Sequence, residues 1–186
     1  MLARQSEMSA RKSETSLAYW LIPAEPMRRF LAATIAELAA RFDGPLFEPH
    51  VTIYAGKRGN NDPGRTLACA ISDGGPIPLS VRDIQCSDQF VKTVFIQFEP
   101  SPQLTKLSYT LQQASALDHK YELNPHLSLI YKAMPPSVRS EVASSITLPF
   151  TEVIFDSAKA ISGPAQVQSR ADVESWSVVA EEQLRK

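Results

Sequence analysis

Histidine and cysteine are scarce in this chain of 186 residues, which contains three copies of the first and two of the second. Charge of one sign is also lacking, because the formal net charge is -1. The protein therefore has no overall positive field that would draw it to nucleic acid, and an anionic ligand must be held by a local site. No apolar run reaches the length of about 18 residues that a membrane-spanning helix requires.

The two cysteines, Cys69 and Cys86, are not spaced as a zinc-binding pair, and one possible bridge does not make a disulfide scaffold. Thiols of this kind are typical of a reducing compartment, so the predicted location is the cytoplasm. Residues 1–15 are polar and lack the apolar stretch of a signal peptide. We interpret them as a mobile N-terminal tail and residues 16–186 as one domain.

Strand-like and helix-like patterns of apolar residues alternate along the chain. A buried strand is predicted at 16–23, and a helix that begins at Pro26 and stops before Gly44. The later predicted elements are a strand around His50, a helix from Asp62–Pro63 to Gly74–Gly75, strands at 77–86 and 90–98, a helix capped by Ser101, a strand around His126, a short helix after Pro135–Pro136, and final strands near 148–155 and 176–179.

One unusual phrase occurs twice, as EPHVTIYAG at 48–56 and as NPHLSLIYK at 124–132. The same offset of 76 positions relates His50 to His126 (126 minus 50) and Pro26 to Pro102 (102 minus 26). We infer two related helix–strand–helix–strand units, since a solenoid would need at least three repeats. Two such units commonly pack about a pseudo-twofold axis, which predicts that their matching strands face each other across a groove.

The doubled phrase carries polar side chains at alternate positions. Because side chains alternate between the two faces of a strand, His50 and Thr52 share one face, and His126 and Ser128 repeat the arrangement. A single pair of this kind usually marks only the wetter face of a sheet, and an old duplication without retained activity would also leave two copies. Duplication alone does not favour keeping a scarce histidine, so the repeat favours a functional groove.

Two imidazoles and two hydroxyls suit attack on phosphorus. Imidazole has an ordinary pKa near 6.5, so one histidine can act as the base and the other as the acid, while the hydroxyls donate to the phosphoryl oxygens. A metal site is the rival interpretation, but zinc needs three or four ligands and no acidic or cysteine partner lies at ligand spacing. Neither a G-x-S-x-G nucleophile motif nor a P-loop is present.

The paired H-x-T and H-x-S motifs, His50/Thr52 and His126/Ser128, resemble the two-histidine (2H) phosphoesterase superfamily. The wording of the two phrases is most similar to that of the cyclic phosphodiesterases of plants and yeast. The resemblance extends from about residue 16 to residue 179. It implies an α+β, bilobal fold in which two pseudo-symmetric lobes, with antiparallel-type sheets flanked by helices, enclose a central cleft.

The resemblance also implies an activity, the metal-independent and cofactor-free hydrolysis of cyclic phosphates. The expected ligands are ADP-ribose 1″,2″-cyclic phosphate and nucleoside 2′,3′-cyclic phosphates, the latter opened to 2′-phosphates. His50 and His126 would be the acid and the base, in an order left open, and Thr52 and Ser128 would bind the phosphoryl oxygens. A monomer acting on a small cyclic nucleotide is expected, with RNA a less favoured partner.

Three aromatic residues are further candidates. Tyr131 matches a tyrosine that contacts the phosphate in similar enzymes, although strict alternation puts it on the face opposite His126, so a bulge or the strand end must reorient it. Packing at the strand end is the alternative. Trp20 is a candidate to stack on a base or ribose, and a place in the core is the alternative. Trp176 has the same two interpretations.

The loop after the first motif is basic and contains Lys57, Arg58 and Arg65. These residues either meet a second phosphate, such as a diphosphate, or form a solvated loop. His119 has no paired hydroxyl and is interpreted as a surface or supporting histidine. Two other functions stay open: processing of RNA ends with 2′,5′ linkages, and nucleotide or RNA binding without catalysis.

Overall fold

The computed structural model describes residues 15–72, 74–115 and 121–185. The predicted tail lies outside the described residues apart from Thr15, and so does His119. The elements are β1 (Thr15–Pro23), α1 (Met27–Phe42), β2 (Val51–Lys57), α2 (Pro63–Ile71), β3 (Ile77–Cys86), a 3₁₀ turn (Phe90–Lys92), β4 (Val94–Phe98), α3 (Pro102–Ala114), β5 (His126–Ile130), α4 (Pro136–Ser145), β6 (Glu152–Pro164), α5 (Arg170–Glu174) and β7 (Ser177–Gln183).

The strands form one antiparallel sheet in the order β1-β2-β5-β4-β3-β6-β7, and β6 also pairs with β1. The unit β1-α1-β2-α2-β3 has the same order as β4-α3-β5-α4-β6. Each pairing in the first unit has a counterpart in the second, because β1–β2 matches β4–β5 and β3–β4 matches β6–β1. The predicted α+β, bilobal fold with pseudo-symmetric halves is confirmed.

The two motif strands lie side by side. We expected β2 and β5 to face each other across a groove, but they are antiparallel neighbours that pair at a single position, Val51 with Leu127. Two more fully buried residues, Ile53 and Leu129, continue the core-facing side of these strands. The predicted alternation is therefore present, and it leaves the polar residues of both motifs together on the opposite face.

The helices of each half pack against strands of the other half. Helix α1 leads into β2 but packs against β5 as well as β1, and α3 leads into β5 but packs against β2. Helix α2 packs against β6, β7 and α3, and α4 packs against β3 and β4. Two predicted caps are present, since the side chain of Asp62 accepts from the N–H of Arg65 and that of Ser101 from the N–H of Leu104. No helix within the described ranges is long and apolar enough to cross a membrane.

The C-terminal elements differ from the sequence prediction. Strand β6 begins at Glu152 rather than near 148 and continues to Pro164, pairing with β3 and then β7 along one edge and with β1 along the other. Its second half, residues 156–164, is rich in small and polar residues, so its sequence lacks a strand-like apolar pattern although most of it is buried. Helix α5 has only five residues, too few to show a helical period.

Candidate active site

The seam between β2 and β5 brings both motifs to one place. Because Val51 pairs with Leu127 in antiparallel register, the flanking residues face each other as His50 with Ser128 and Thr52 with His126. A cavity of approximately 300 Å³ opens on this face. All six residues predicted for the site line it: Trp20, His50, Thr52, His126, Ser128 and Tyr131.

His50 is held by its backbone neighbour and by an indole. Its Nδ1 lies 2.6 Å from the carbonyl oxygen of Glu48. A carbonyl oxygen can only accept, so Nδ1 carries the hydrogen and Nε2 presents its lone pair. The imidazole stacks on Trp20 with the ring centroids 3.6 Å apart. On its other side Nε2 lies 3.5 Å from the hydroxyl of Tyr131, within the geometry of a weak hydrogen bond.

Aromatic rings surround His50 and control its charge. The rings of Phe47 and Trp176 contact it edge to face. Burial among these rings lowers the pKa of His50 to about 4, the bond to the Glu48 carbonyl opposes this shift, and nearby His126 adds to it. The imidazole is therefore neutral at pH 7, with Nε2 free to accept a proton.

His126 repeats this arrangement in a more open setting. Its Nδ1 lies 2.7 Å from the carbonyl oxygen of Asn124, which fixes the same tautomer. Its imidazole is half-buried and packs edge to face with the ring of Phe95. The ammonium of Lys92 lies 4.4 Å from the centre of the Phe95 ring. Burial lowers the pKa of His126, the Asn124 carbonyl opposes the shift, and the charge of Lys92 adds to it.

Tyr131 enters the cavity because it follows the last residue of β5, where strict alternation no longer applies. Its ring stacks on Phe47 at 3.8 Å between centroids. Burial raises the pKa of Tyr131 while a hydrogen bond with Ser128 opposes this, so the phenol stays protonated. Ser128 in turn donates its own hydrogen to the carbonyl oxygen of Val91, at 2.7 Å.

Thr52 differs from Ser128 in its hydrogen bonding. Its backbone carbonyl accepts from the hydroxyl of Tyr121 at 3.2 Å. Its side-chain hydroxyl is half-buried, lines the cavity, and has no hydrogen-bond partner among the residues that the structure describes. It is therefore free to donate to a ligand.

Two tryptophans form the apolar wall of the cavity. Trp20 is only 6% exposed and one of its faces is occupied by His50, which leaves little of it for a ligand. Trp176 meets Trp20 edge to face. It reaches this position because β6 has a glycine there: a Cβ on Gly163 would lie 2.4 Å from the indole of Trp176. Sequence reasoning missed Phe47 and Tyr121 as parts of the site, since neither lies in a repeated motif.

The basic loop does not line the cavity. Neither Lys57, Arg58 nor Arg65 is among its lining residues, although Arg58 bonds the hydroxyl of Ser162 at 3.4 Å on the strand that forms one wall. A contact between this loop and a second phosphate stays a prediction. Within the described ranges no three side chains of histidine, cysteine, aspartate or glutamate are grouped closely enough to hold a metal. Both cysteines are free.

The lowered pKa of His50 predicts a pH-dependent stability. The unfolded chain protonates this histidine near pH 6.5, whereas the folded chain does so only near pH 4. The unfolded state thus binds more protons between these values, so stability falls as pH drops through that window. The expected loss is about 3 kcal/mol between about pH 7.5 and about pH 3.5. Denaturant unfolding at a series of pH values measures it.

The matched control for this prediction is His50→Asn, because asparagine keeps a side-chain N–H near the Glu48 carbonyl but does not titrate. Carboxylates and His126 titrate in both proteins, so the difference between the two stability curves isolates His50. Parallel curves for the wild type and His50→Asn over the whole range would contradict the prediction.

Comparison with known proteins identifies the family and the fold of this chain. A family model described as cyclic phosphodiesterase-like protein matches residues 15–184. A crystal structure described as a phosphoesterase superposes with a TM-score of 0.58 at 15% identity, covering 92% of this chain and 99% of its own. Escherichia coli LigT complexed with 3′-AMP superposes with a TM-score of 0.54 at 12% identity, covering 93% and 99%. No curated protein matches in sequence. The chain belongs to the cyclic phosphodiesterase-like family of the two-histidine phosphoesterases.

Proposed function

We propose that this protein hydrolyses cyclic phosphates without a metal ion, acting on nucleoside 2′,3′-cyclic phosphates, ADP-ribose 1″,2″-cyclic phosphate, or both. The observation that carries the proposal is the paired geometry of the cavity: each imidazole is tied through Nδ1 to a backbone carbonyl, which leaves the lone pair of each Nε2 available to accept a proton. The β2–β5 register places each histidine opposite the hydroxyl residue of the other motif. Membership of the plant and yeast type, a monomeric state and a cytoplasmic location stay predictions from the sequence.

The proposed reaction uses one imidazole as base and the other as acid. One Nε2 takes a proton from water as the water oxygen bonds to phosphorus, and the other protonates the ring oxygen as its bond to phosphorus breaks. In the free site both histidines have a lowered pKa. A bound phosphate anion raises the pKa of the imidazole that faces it, so the substrate itself favours the protonated acid.

The cavity fits a small nucleotide in size and in lining. Its volume lies at the lower end of the range of about 300–1,000 Å³ that is usual for small-molecule sites. Trp176, Ile161 and Val167 supply apolar surface beside the polar motif residues. Solved structures of Escherichia coli LigT, which has this fold, hold 3′-AMP, ATP and phosphate, and this supports a nucleotide ligand here.

Turnover in the presence of excess chelator tests the proposal. We expect a nucleoside 2′,3′-cyclic phosphate to be hydrolysed at the same rate with and without chelator, because imidazoles and hydroxyls supply all the groups the reaction needs. The product should be the 2′-phosphate, which chromatography separates from the 3′-phosphate. Activity that is lost on chelation and restored by a divalent ion would contradict the metal-free mechanism. Tight binding without turnover would instead indicate a nucleotide-binding module.

Processing of RNA ends is the second candidate, and a neighbouring groove favours it. Arg82 and Lys92 line a depression together with the acidic Glu122, and its lining residues Lys92 and Pro125 are the chain neighbours of Val91 and His126, which line the active-site cavity. Two cations next to the catalytic pair would suit a further phosphate of a longer substrate. Comparing kcat/KM for a cyclic mononucleotide with that for an RNA ending in a 2′,3′-cyclic phosphate separates the two functions.

A further inference from the structure

Each catalytic histidine takes its tautomer from the residue two positions before it. His50 donates to the carbonyl of Glu48, and His126 donates to the carbonyl of Asn124. Glu48 and Asn124 are themselves related by the offset of 76 positions between the two motifs (124 minus 48). Neither residue is part of the H-x-T/S pattern. Because the carbonyls of these two residues orient the imidazoles, the contacts of their side chains also affect that orientation.

The side chain of Glu48 is anchored by a buried cation. Lys159 on β6 places its ammonium 2.9 Å from both carboxylate oxygens of Glu48, and Arg28 binds one of them from the first turn of α1. Lys159 is only 7% exposed, and Glu181 lies 3.7 Å from its ammonium. A buried lysine needs a carboxylate partner, so this ion pair strongly favours one position of Glu48.

The second half uses a neutral counterpart. The Nε2 of Gln97 donates to the side-chain oxygen of Asn124 at 2.9 Å and to the carbonyl of Pro125 at 2.8 Å. Gln97 is 4% exposed and lies opposite His126 in the β4–β5 register. Lys159 likewise lies opposite Trp20, the residue on which His50 stacks. Lys159 reaches the carboxylate of Glu48 from β6, which is separated from β2 by β1, and Gln97 reaches Asn124 from β4, the strand beside β5. Each anchor therefore binds the residue whose carbonyl orients a histidine.

We propose that Lys159 and Gln97 are positioning residues that set the tautomers of His50 and His126 by fixing Glu48 and Asn124. When the carbonyl moves away, Nδ1 loses its acceptor, and a neutral imidazole then carries its hydrogen on either nitrogen. An imidazole with hydrogen on Nε2 can no longer accept a proton there. The consequence for turnover rests on the proposed function, whereas the consequence for the tautomer does not.

Nitrogen-15 NMR of the histidine side chains at about pH 8 tests the proposal without any substrate. In the wild type we expect His50 and His126 to carry the hydrogen on Nδ1. Lys159→Met should shift His50 toward a mixture of tautomers and leave His126 unchanged, and Gln97→Met should do the reverse. Each variant thus serves as the control for the other. If both variants keep the wild-type tautomer at both histidines, the proposal is wrong.

Kinetics supply the second readout. Lys159→Met should lower kcat by about tenfold or more with KM within about threefold, an effect of the size that follows removal of the partner that orients a metal-binding histidine. Lys159→Arg should restore most of the rate, because it keeps the buried charge. Arg170→Met, which breaks an exposed ion pair with Asp43, should stay within about twofold of the wild type. An equal loss in Lys159→Met and Arg170→Met would overturn the proposal.

Glu48→Gln replaces Lys159→Met if the methionine variant does not fold, since the amide keeps the size of the side chain and still accepts a hydrogen bond. We then expect a smaller shift of the His50 tautomer in the same direction, and no shift at all would overturn the proposal. A tautomer shift in a protein that hydrolyses no cyclic phosphate would leave the positioning role intact and remove the proposed function. The two inferences therefore fail separately.

Discussion

Replacing His50 or His126 by asparagine should lower kcat for a nucleoside 2′,3′-cyclic phosphate by about 10²–10⁴-fold, the usual contribution of a general acid or base. Asparagine keeps a side-chain N–H for the Glu48 or Asn124 carbonyl, so the backbone around each site is preserved. It removes the Nε2 lone pair that moves the proton. Because acid and base act in one reaction, the double variant should lose little more than the worse of the two single variants.

Steady-state kinetics together with thermal melting separate catalysis from folding in this experiment. His119→Asn is the matched control, because the sequence predicts a surface or supporting histidine with no paired hydroxyl at this position, and it should retain the wild-type rate. Wild-type melting of His126→Asn would show that its loss of rate is chemical. Substantial activity in both single variants would remove the acid–base assignment and leave a binding role for the two imidazoles.

The face of the strands that carries the two motifs could be predicted from the sequence because it depends only on local rules. Alternation along a strand places His50 beside Thr52 and His126 beside Ser128, and the repeat connects the two pairs. Proline and serine or aspartate at helix starts likewise marked α2 and α3 through interactions within four residues. Such signals survive in a single sequence because both partners lie in one short segment.

The supports of the site could not be predicted in this way, because they join distant segments. Lys159 binds Glu48 across 111 positions, and the hydroxyl of Tyr131 reaches His50 across 81. Neither contact follows from a period or a motif. The register between β2 and β5 also depends on residues that are far apart in the sequence, because the two strands pair at a single position, Val51 with Leu127. Only the packed structure shows which lysine is buried beside the candidate site.

The pseudo-twofold symmetry relates the backbones of the two motifs more closely than their surroundings. His50 lies within an aromatic cage, whereas His126 has one aromatic neighbour among the described residues, Phe95, and lies close enough to Lys92 for the lysine charge to lower the histidine pKa. The hydroxyls differ in the same sense. The hydroxyl of Thr52 has no hydrogen-bond partner among the described residues, whereas the hydroxyl of Ser128 already donates to the Val91 carbonyl. The two hydroxyls occupy matching positions of the two motifs, but their hydrogen bonding differs before a phosphate binds.

This asymmetry predicts unequal effects for the two hydroxyls. Thr52→Val should lower kcat by about 10²-fold, since the loss of one preorganised donor to a developing oxyanion costs about 10²–10³-fold. Ser128 must first release the Val91 carbonyl, and a neutral hydrogen bond is worth about 1 kcal/mol. That cost reduces its net contribution by a factor of about five, so Ser128→Ala should have the smaller effect by about that ratio.

Valine preserves the shape of threonine and alanine leaves the strand backbone unchanged, so both variants should fold, and circular dichroism checks this. The decisive quantity is the ratio of the two kcat values, measured on one cyclic nucleotide at one pH. A larger loss for Ser128→Ala would show that Ser128 leaves Val91 without cost and is the main donor to the phosphoryl oxygen. Equal losses would show that substrate binding restores the symmetry that the free site lacks.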